Sequence, residues 1–176
     1  MRYSRPEPLD RRHTCEEFEC GESALDDWLK RHAFGSQTAG SARVFVTTSD
    51  GETVVGYYAL AAAEVAPADA PARVGKGQPR RRPIPAVLLA RLAVDQRHQA
   101  RGVGASLLRD AMLRCLQAAD AIGVRAMLVH AKSERARAWY AQYGFEASPT
   151  DPLHLVLLLK DLRAFVAQQG AAPEPS

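Results

Sequence analysis

Cysteine is scarce in this chain. Three residues in 176, Cys15, Cys20 and Cys115, make an odd count with no C-x-x-C spacing, which excludes a disulfide framework and points to free thiols in a reducing compartment. Histidine is equally sparse, and His13, His32, His98, His130 and His154 show no H-E-x-x-H or other ligand spacing, so no metal is assigned. No apolar run approaches the roughly 20 residues that span a bilayer, and MRYSRPEPLD lacks the apolar core of a secretion signal. A cytoplasmic protein without a membrane partner is expected. Repeats are absent too, which excludes solenoids and propellers.

What is present is an ordinary globular balance, 47% apolar and 24% charged. One domain over residues 1–168 with a flexible tail at 169–176 is the simplest reading. The net charge is only +3, but its placement is uneven. Between residues 73 and 101, eight basic residues (Arg73, Lys76, Arg80, Arg81, Arg82, Arg91, Arg97 and Arg101) face Asp95 alone, a local excess of +7. Such a segment suits a phosphorylated cofactor or a nucleic acid; it is equally what a solvated basic loop looks like.

The first 20 residues read as irregular, with Leu9 and Phe18 as apolar anchors. A helix capped by Ser23 is expected to run to Phe34 and to stop at Gly35. Residues 43–48 and 53–61 alternate around Asp50-Gly51 and predict a hairpin. From Glu64 to Arg82 there is no usable periodicity, so a long loop is expected. Then come a buried strand (AVLLARLAV) with Arg91 inside it, a helix from Gly102 to about Asp120, and a strand over 124–131. A helix capped by Ser133 and stopped by Gly144 follows, with a last strand over 153–159 and a short helix over 162–166. A hairpin combined with strand–helix–strand crossovers makes the class α+β, with a mixed central sheet.

Between the buried strand and the helix that follows it lies Q-A-R-G-V-G, Gln99 to Gly104. Glycines let the backbone approach a phosphate, and the N–H groups at a helix start hold it with help from the helix dipole. Two familiar phosphate loops do not fit. There is no Gly-Lys-Ser/Thr ending, and Leu107 stands where a dinucleotide fingerprint needs its third glycine.

The pattern Q/R-x-x-G-x-G/A, carried by Gln99, Gly102 and Gly104, does fit. With ARLAVD before it and A-W-Y-x-x-x-G-F after it, the chain resembles the GNAT acetyltransferases over about residues 18–160. CGESALDDWLK, VVGYYALAAAEV, MLVHA and FEASPTDPLHL resemble one branch, the toxins of GNAT toxin–antitoxin pairs. The chain departs from that branch at Ala90, where a glycine is common. The resemblance implies the GNAT acetyltransferase fold, a mixed, mostly antiparallel central sheet with a splayed central strand pair and flanking helices. It also implies acetyl-CoA as cofactor, aminoacyl-tRNA acetylated on its α-amino group as substrate, a cognate ribbon-helix-helix antitoxin, and a homodimer.

By the same resemblance, the backbones of Leu92 and Val94 pair with the pantetheine arm. Amides of Gln99, Ala100, Arg101, Gly102, Val103, Gly104 and Ala105 hold the pyrophosphate, with charge from Arg97 and Arg101. Tyr140 is the catalytic residue, supplying a proton to the departing thiolate; by helical spacing alone it is core. Ser133 touches the cofactor or merely caps its helix. Arg73, Lys76, Arg80, Arg81, Arg82 and Arg91 meet tRNA phosphates, and Trp139 stacks or is core. Many members of the wider family place a carboxylate on the central strand where this chain has Arg91. An α-amino group titrates near 8, so little help is needed to free it; Glu64 stands as a possible water-mediated base. Acetylation of a small amine or protein N-terminus, and a non-catalytic acetyl-CoA- or nucleic-acid-binding module, remain open.

Overall fold

The structure, a computed structural model, describes residues 2–170. Seven strands, β1 (Glu7–Pro8), β2 (Arg43–Thr48), β3 (Val54–Val65), β4 (Ile84–Val94), β5 (Ala126–His130), β6 (Glu146–Ala147) and β7 (His154–Leu158), form one sheet in the order β1-β2-β3-β4-β5-β7-β6. Six helices accompany them: α1 (Ser23–Arg31), α2 (Ala33–Thr38), α3 (Ala72–Gly75), α4 (Val103–Ala121), α5 (Glu134–Ala141) and α6 (Leu159–Gly170). The pairs β1–β2, β2–β3, β5–β7 and β6–β7 are antiparallel. The chain divides into two compact units, residues 1–62 with 89–113 and residues 63–88 with 114–176.

In the first unit the hairpin forms as its sequence dictates. Gly51 takes a φ of +93° at the turn, and the Asp50 carboxylate accepts from the N–H groups of Glu52 and Thr53 at 2.9 and 2.6 Å. The expected first helix is broken in two. His32, with φ −121°, leaves the helical region so that Ala33 can be fully buried, and Gly35 lies inside α2 rather than stopping the first helix. Ser23 does not cap α1 either; Glu22 occupies that place in extended conformation and makes no side-chain cap. Two residues of the supposedly irregular N-terminus form β1, too short for any periodicity to reveal. Leu9 and Phe18 are buried, as expected of anchors.

Gly56 on β3 is a place of close approach. A Cβ there would lie 2.9 Å from Leu107 Cδ1 and 3.1 Å from Val103 Cγ1, both on α4. Gly56→Ala is therefore expected to cost about 1–3 kcal/mol by overpacking, a fall of roughly 3–10 °C in Tm. A melting curve superimposable on the wild type would show that α4 retreats without cost.

In the second unit Val65, Val74, Ile84, Ala126, Leu128, Val156 and Leu158 pack as one cluster. The segment expected as a featureless loop contains a 3-10 turn at Pro67–Asp69 and the short α3, which buries Val74. Arg125 ties it down, donating from Nε to Val74 O at 2.6 Å and from Nη2 to Lys76 O at 3.0 Å. Gly144 ends the α5 turn with φ +94°, and Phe145 folds into the interior. The terminal helix is longer than 162–166, running to Gly170. Of the expected tail, residues 171–176 lie outside the described residues.

Candidate active site

The Gln99–Gly104 loop is built as a cradle. Ala100 and Gly102 both adopt positive φ, +60° and +83°, and such alternation turns successive N–H groups toward one concavity. Inside α4 the N–H of Ser106 bonds Gly102 O at 3.0 Å, while the first-turn N–H groups of Val103, Gly104 and Ala105 precede any intrahelical acceptor. A space free of other atoms surrounds the Gly102 α-carbon on its Cβ side. These features suit a diphosphate.

Gln99 has a structural task. Its side-chain amide donates to Val94 O at 2.9 Å and to Cys20 O at 3.0 Å, strapping the loop to the end of β4 and to the N-terminal segment. The same segment is clasped once more at Glu19, whose carbonyl accepts from Gln96 N at 2.8 Å and whose N–H donates to Asp95 at 3.1 Å.

Arg97 is less available than its position in the sequence suggests. Its guanidinium grips the buried Asp95 from Nε at 3.0 Å and from Nη2 at 3.1 Å, and also reaches Glu17 O at 3.3 Å. Burial drives the Asp95 carboxyl upward, but the bonds from Arg97 and Glu19 win and hold it below its ordinary 3.8. Because the folded value lies below the unfolded one, the stability it contributes is present above about 3.8 and is lost as pH falls through the lowered value. Asp95→Ala is expected to cost about 1.5–3 kcal/mol at neutral pH and to flatten the acid limb of stability against pH, as urea titrations across that limb would record. An unchanged acid limb would show that Asp95 does not root the loop. Arg101 is exposed on the loop itself.

Leu92 and Val94 are half-buried on β4. That strand has eleven residues against five in β5, and backbone beyond the reach of a shorter neighbour is what an extended arm can join. Arg91, the charge within the apolar strand, has found an aromatic partner. Its guanidinium lies 4.2 Å above the Trp28 ring, and Trp28 in turn stacks on Tyr57 at 6.0 Å.

All the other predicted residues belong to the second unit. The Ser133 hydroxyl accepts from Ala136 N at 3.1 Å and caps α5. Tyr140 on α5 is buried, with its ring edge-on to Trp139 and Phe145 at 5.0 and 5.6 Å. Burial pushes its phenol above the ordinary range. Among the described residues the Tyr140 hydroxyl has no hydrogen-bond partner while no fully buried side-chain oxygen lacks one, so this oxygen is not sealed off, although the ring stays inside. A protonated donor tip on a fixed ring is a geometry suited to an acid. Trp139 also contacts Tyr143, edge-on at 5.2 Å.

The basic residues divide. Arg73 is spent on acids, with Nη1 2.8 Å from Asp161 and 3.4 Å from Glu146. Lys76, Arg80, Arg81 and Arg82 are exposed.

Residues 40–147 match the family described as "Acetyltransferase (GNAT) domain", more than half of the chain. The chain is a GNAT acetyltransferase. Among GNAT relatives, a "tRNA-acetylating toxin" of Mycobacterium tuberculosis (strain ATCC 25618 / H37Rv) is 52% identical over 164 residues, 93% of this chain and 97% of that protein. The toxin AtaT complexed with acetyl-methionyl-tRNAfMet superposes with a TM-score of 0.85 at 26% identity, covering 94% of this chain and 99% of that one. A tyrosine-to-phenylalanine mutant of AtaT bound to the C-terminus of the antitoxin AtaR and acetyl-CoA gives 0.80 at 26%, with 94% and 99% covered.

What the sequence did not reveal in this GNAT site is the support beneath it. The Gln99 strap to Cys20, the Asp95 bond to Glu19 and the Arg125 tie all join residues far apart in the chain. One signal existed for the second of these: Asp95 is the lone acid in a basic stretch.

Proposed function

We propose that this chain is a toxin that transfers the acetyl group of acetyl-CoA to the α-amino group of aminoacyl-tRNA, so that the charged tRNA no longer serves translation. The observation that carries the reading is the 52% identity, across 93% of the chain, to a tRNA-acetylating toxin. The site agrees with it. The cradle from Gln99 to Ala105 takes the pyrophosphate of acetyl-CoA, Arg101 adds charge, and the backbone of Leu92 and Val94 on β4 takes the pantetheine arm. Arg97 serves this loop through Asp95.

In the reaction the neutral amine attacks the thioester carbonyl, the new C–N bond forms and the C–S bond breaks. Tyr140 supplies a proton to the coenzyme A thiolate and is reprotonated by the proton the amine gives up. Ser133 holds the start of α5, and with it Tyr140, in place. The exposed Lys76 and Arg80–Arg82 meet the phosphates of the acceptor stem, a sequence-blind contact. Residues 1–168 act in this reading as one catalytic domain, as a homodimer in the cytoplasm, silenced by a small antitoxin of the ribbon-helix-helix type.

The test is to incubate the pure protein with acetyl-CoA and charged tRNA and to look for N-acetyl-aminoacyl ends after nuclease digestion. Unmodified charged tRNA together with an acetylated small amine or protein N-terminus would replace the toxin reading with that of another GNAT acetyltransferase. Binding of acetyl-CoA without transfer to any amine would leave a binding module.

A further inference from the structure

The second unit contains a cavity of about 160 Å³ with no role in the chemistry described so far. Val65, Leu128 and Val156 give it an apolar lining, and Glu64, His130 and His154 give it polar groups. Its size is well above the 10–15 Å³ or so that one water needs and below the roughly 300–1,000 Å³ of pockets for drug-sized ligands. A group of amino-acid size fits that range.

The two histidines are a cross-strand pair. His130 on β5 stands directly opposite His154 on β7, and their rings stack with centroids 4.0 Å apart and planes 19° from parallel. As plain packing this pairing is a poor choice, because two imidazolium ions directly opposite each other repel. It does serve to keep one ring neutral. Burial first, then repulsion from His154, lowers the His130 value beneath its ordinary 6.5, against an opposing pull from Asp151. His154 lies 3.5 Å from that carboxylate. Glu64 and Asp69 are the other charged groups on the cavity wall, and Asp69 is already held by the Thr150 hydroxyl at 2.6 Å. Among the described residues neither ring nitrogen of His130 has a hydrogen-bond partner, and the residue, desolvated on the side of the stacked His154 ring, is exposed elsewhere.

We propose that this cavity seats the aminoacyl end of the substrate, and that His130 is the catalytic base that takes a proton from its α-ammonium group. The inference rests on the function proposed above. Glu64 draws the ammonium in by its charge, the apolar lining receives the amino-acid side chain, and a ring nitrogen of His130 takes one proton to leave a neutral amine. After C–N bond formation and C–S cleavage, the amine's second proton goes to the thiolate through Tyr140, and His130 returns its own to solvent. Imidazole suits the first step because it titrates closest to neutral pH.

Two variants test this, each in the full-length protein with charged tRNA and acetyl-CoA. His130→Gln is expected to lower kcat/KM at pH 7 by up to roughly tenfold, the share of an amine titrating near 8 that is still protonated there, with the deficit closing toward pH 9, where the amine loses its proton unaided, and with acetyl-CoA affinity unchanged. In the wild type the rate falls only as pH drops below the ordinary histidine range, since the neutral ring is the active form. A wild-type rate for His130→Gln at pH 7, or a deficit equal at every pH, overturns the base. Ala66→Leu adds bulk at the cavity wall and is expected to raise KM for charged tRNA about tenfold at unchanged acetyl-CoA affinity; an unchanged KM overturns the seat. If the wild type itself acetylates only a free small amine, the tRNA reading fails and the seat with it, and the pH profile of His130→Gln on that amine decides the base separately.

Discussion

Phenylalanine in place of Tyr140 is expected to leave acetyl-CoA bound with wild-type affinity and to lower kcat by at least about a hundred-fold, the lower end of what a positioned acid supplies. The expectation follows from how little else the substitution changes. The ring is buried and held edge-on by Trp139 and Phe145, contacts that phenylalanine keeps, and the hydroxyl is not part of any hydrogen bond that supports the fold. Stability should therefore barely move, which separates the loss of a proton donor from the loss of packing. Stopped assays under saturating acetyl-CoA, with a calorimetric titration of the cofactor alongside, give both numbers. A kcat within a few-fold of wild type would return Tyr140 to the core and leave the thiolate to take its proton from water.

Replacing Arg80, Arg81 and Arg82 together with alanine should act on the other substrate. If each meets one phosphate, the slope of log affinity for charged tRNA against log salt becomes shallower by about 2–3, at roughly 0.7–0.9 per contact. KM rises by at least tenfold at moderate ionic strength while acetyl-CoA affinity stays put. The effect should concentrate here because, apart from the exposed Lys76, the other candidates are engaged. Arg73 is paired with Asp161 and Glu146, and Arg91 lies over Trp28. Neutralising Arg73 should instead cost stability with little change in salt dependence. An unaltered salt slope in the triple variant would make the triplet a solvated loop.

Local chemistry made some of this legible in the sequence. Ser133 announces the start of α5 because a hydroxyl satisfies an N–H at a helix end, and Gly144 announces its stop because the turn needs a positive φ. The Q-x-x-G-x-G spacing announced the cradle for a similar reason. What stayed hidden was whatever depends on a partner distant along the chain. Arg91, a charge inside an apolar strand, lies over a tryptophan of α1. The Gln99 side chain straps the loop to Cys20, 79 positions away, which its place in the motif did not announce. Arg97, expected at a phosphate, also reaches Glu17 O, 80 positions away. The break of the first helix at His32 was hidden for the same reason, because burial of Ala33 overrides helical continuity. His130 and His154 are 24 positions apart, and only the β5–β7 register stacks them.

The left-handed alanine in the cradle has a further consequence. Holding Ala100 at a φ of +60° costs on the order of 1 kcal/mol that glycine would not incur. Glycine would forfeit a similar amount, about 0.4–1 kcal/mol, through the greater freedom of its unfolded chain. The two residues thus come out near parity in stability, and the difference between them lies in the ligand-free loop. Alanine leaves that loop fewer shapes to explore before a pyrophosphate arrives, so less entropy is lost on capture.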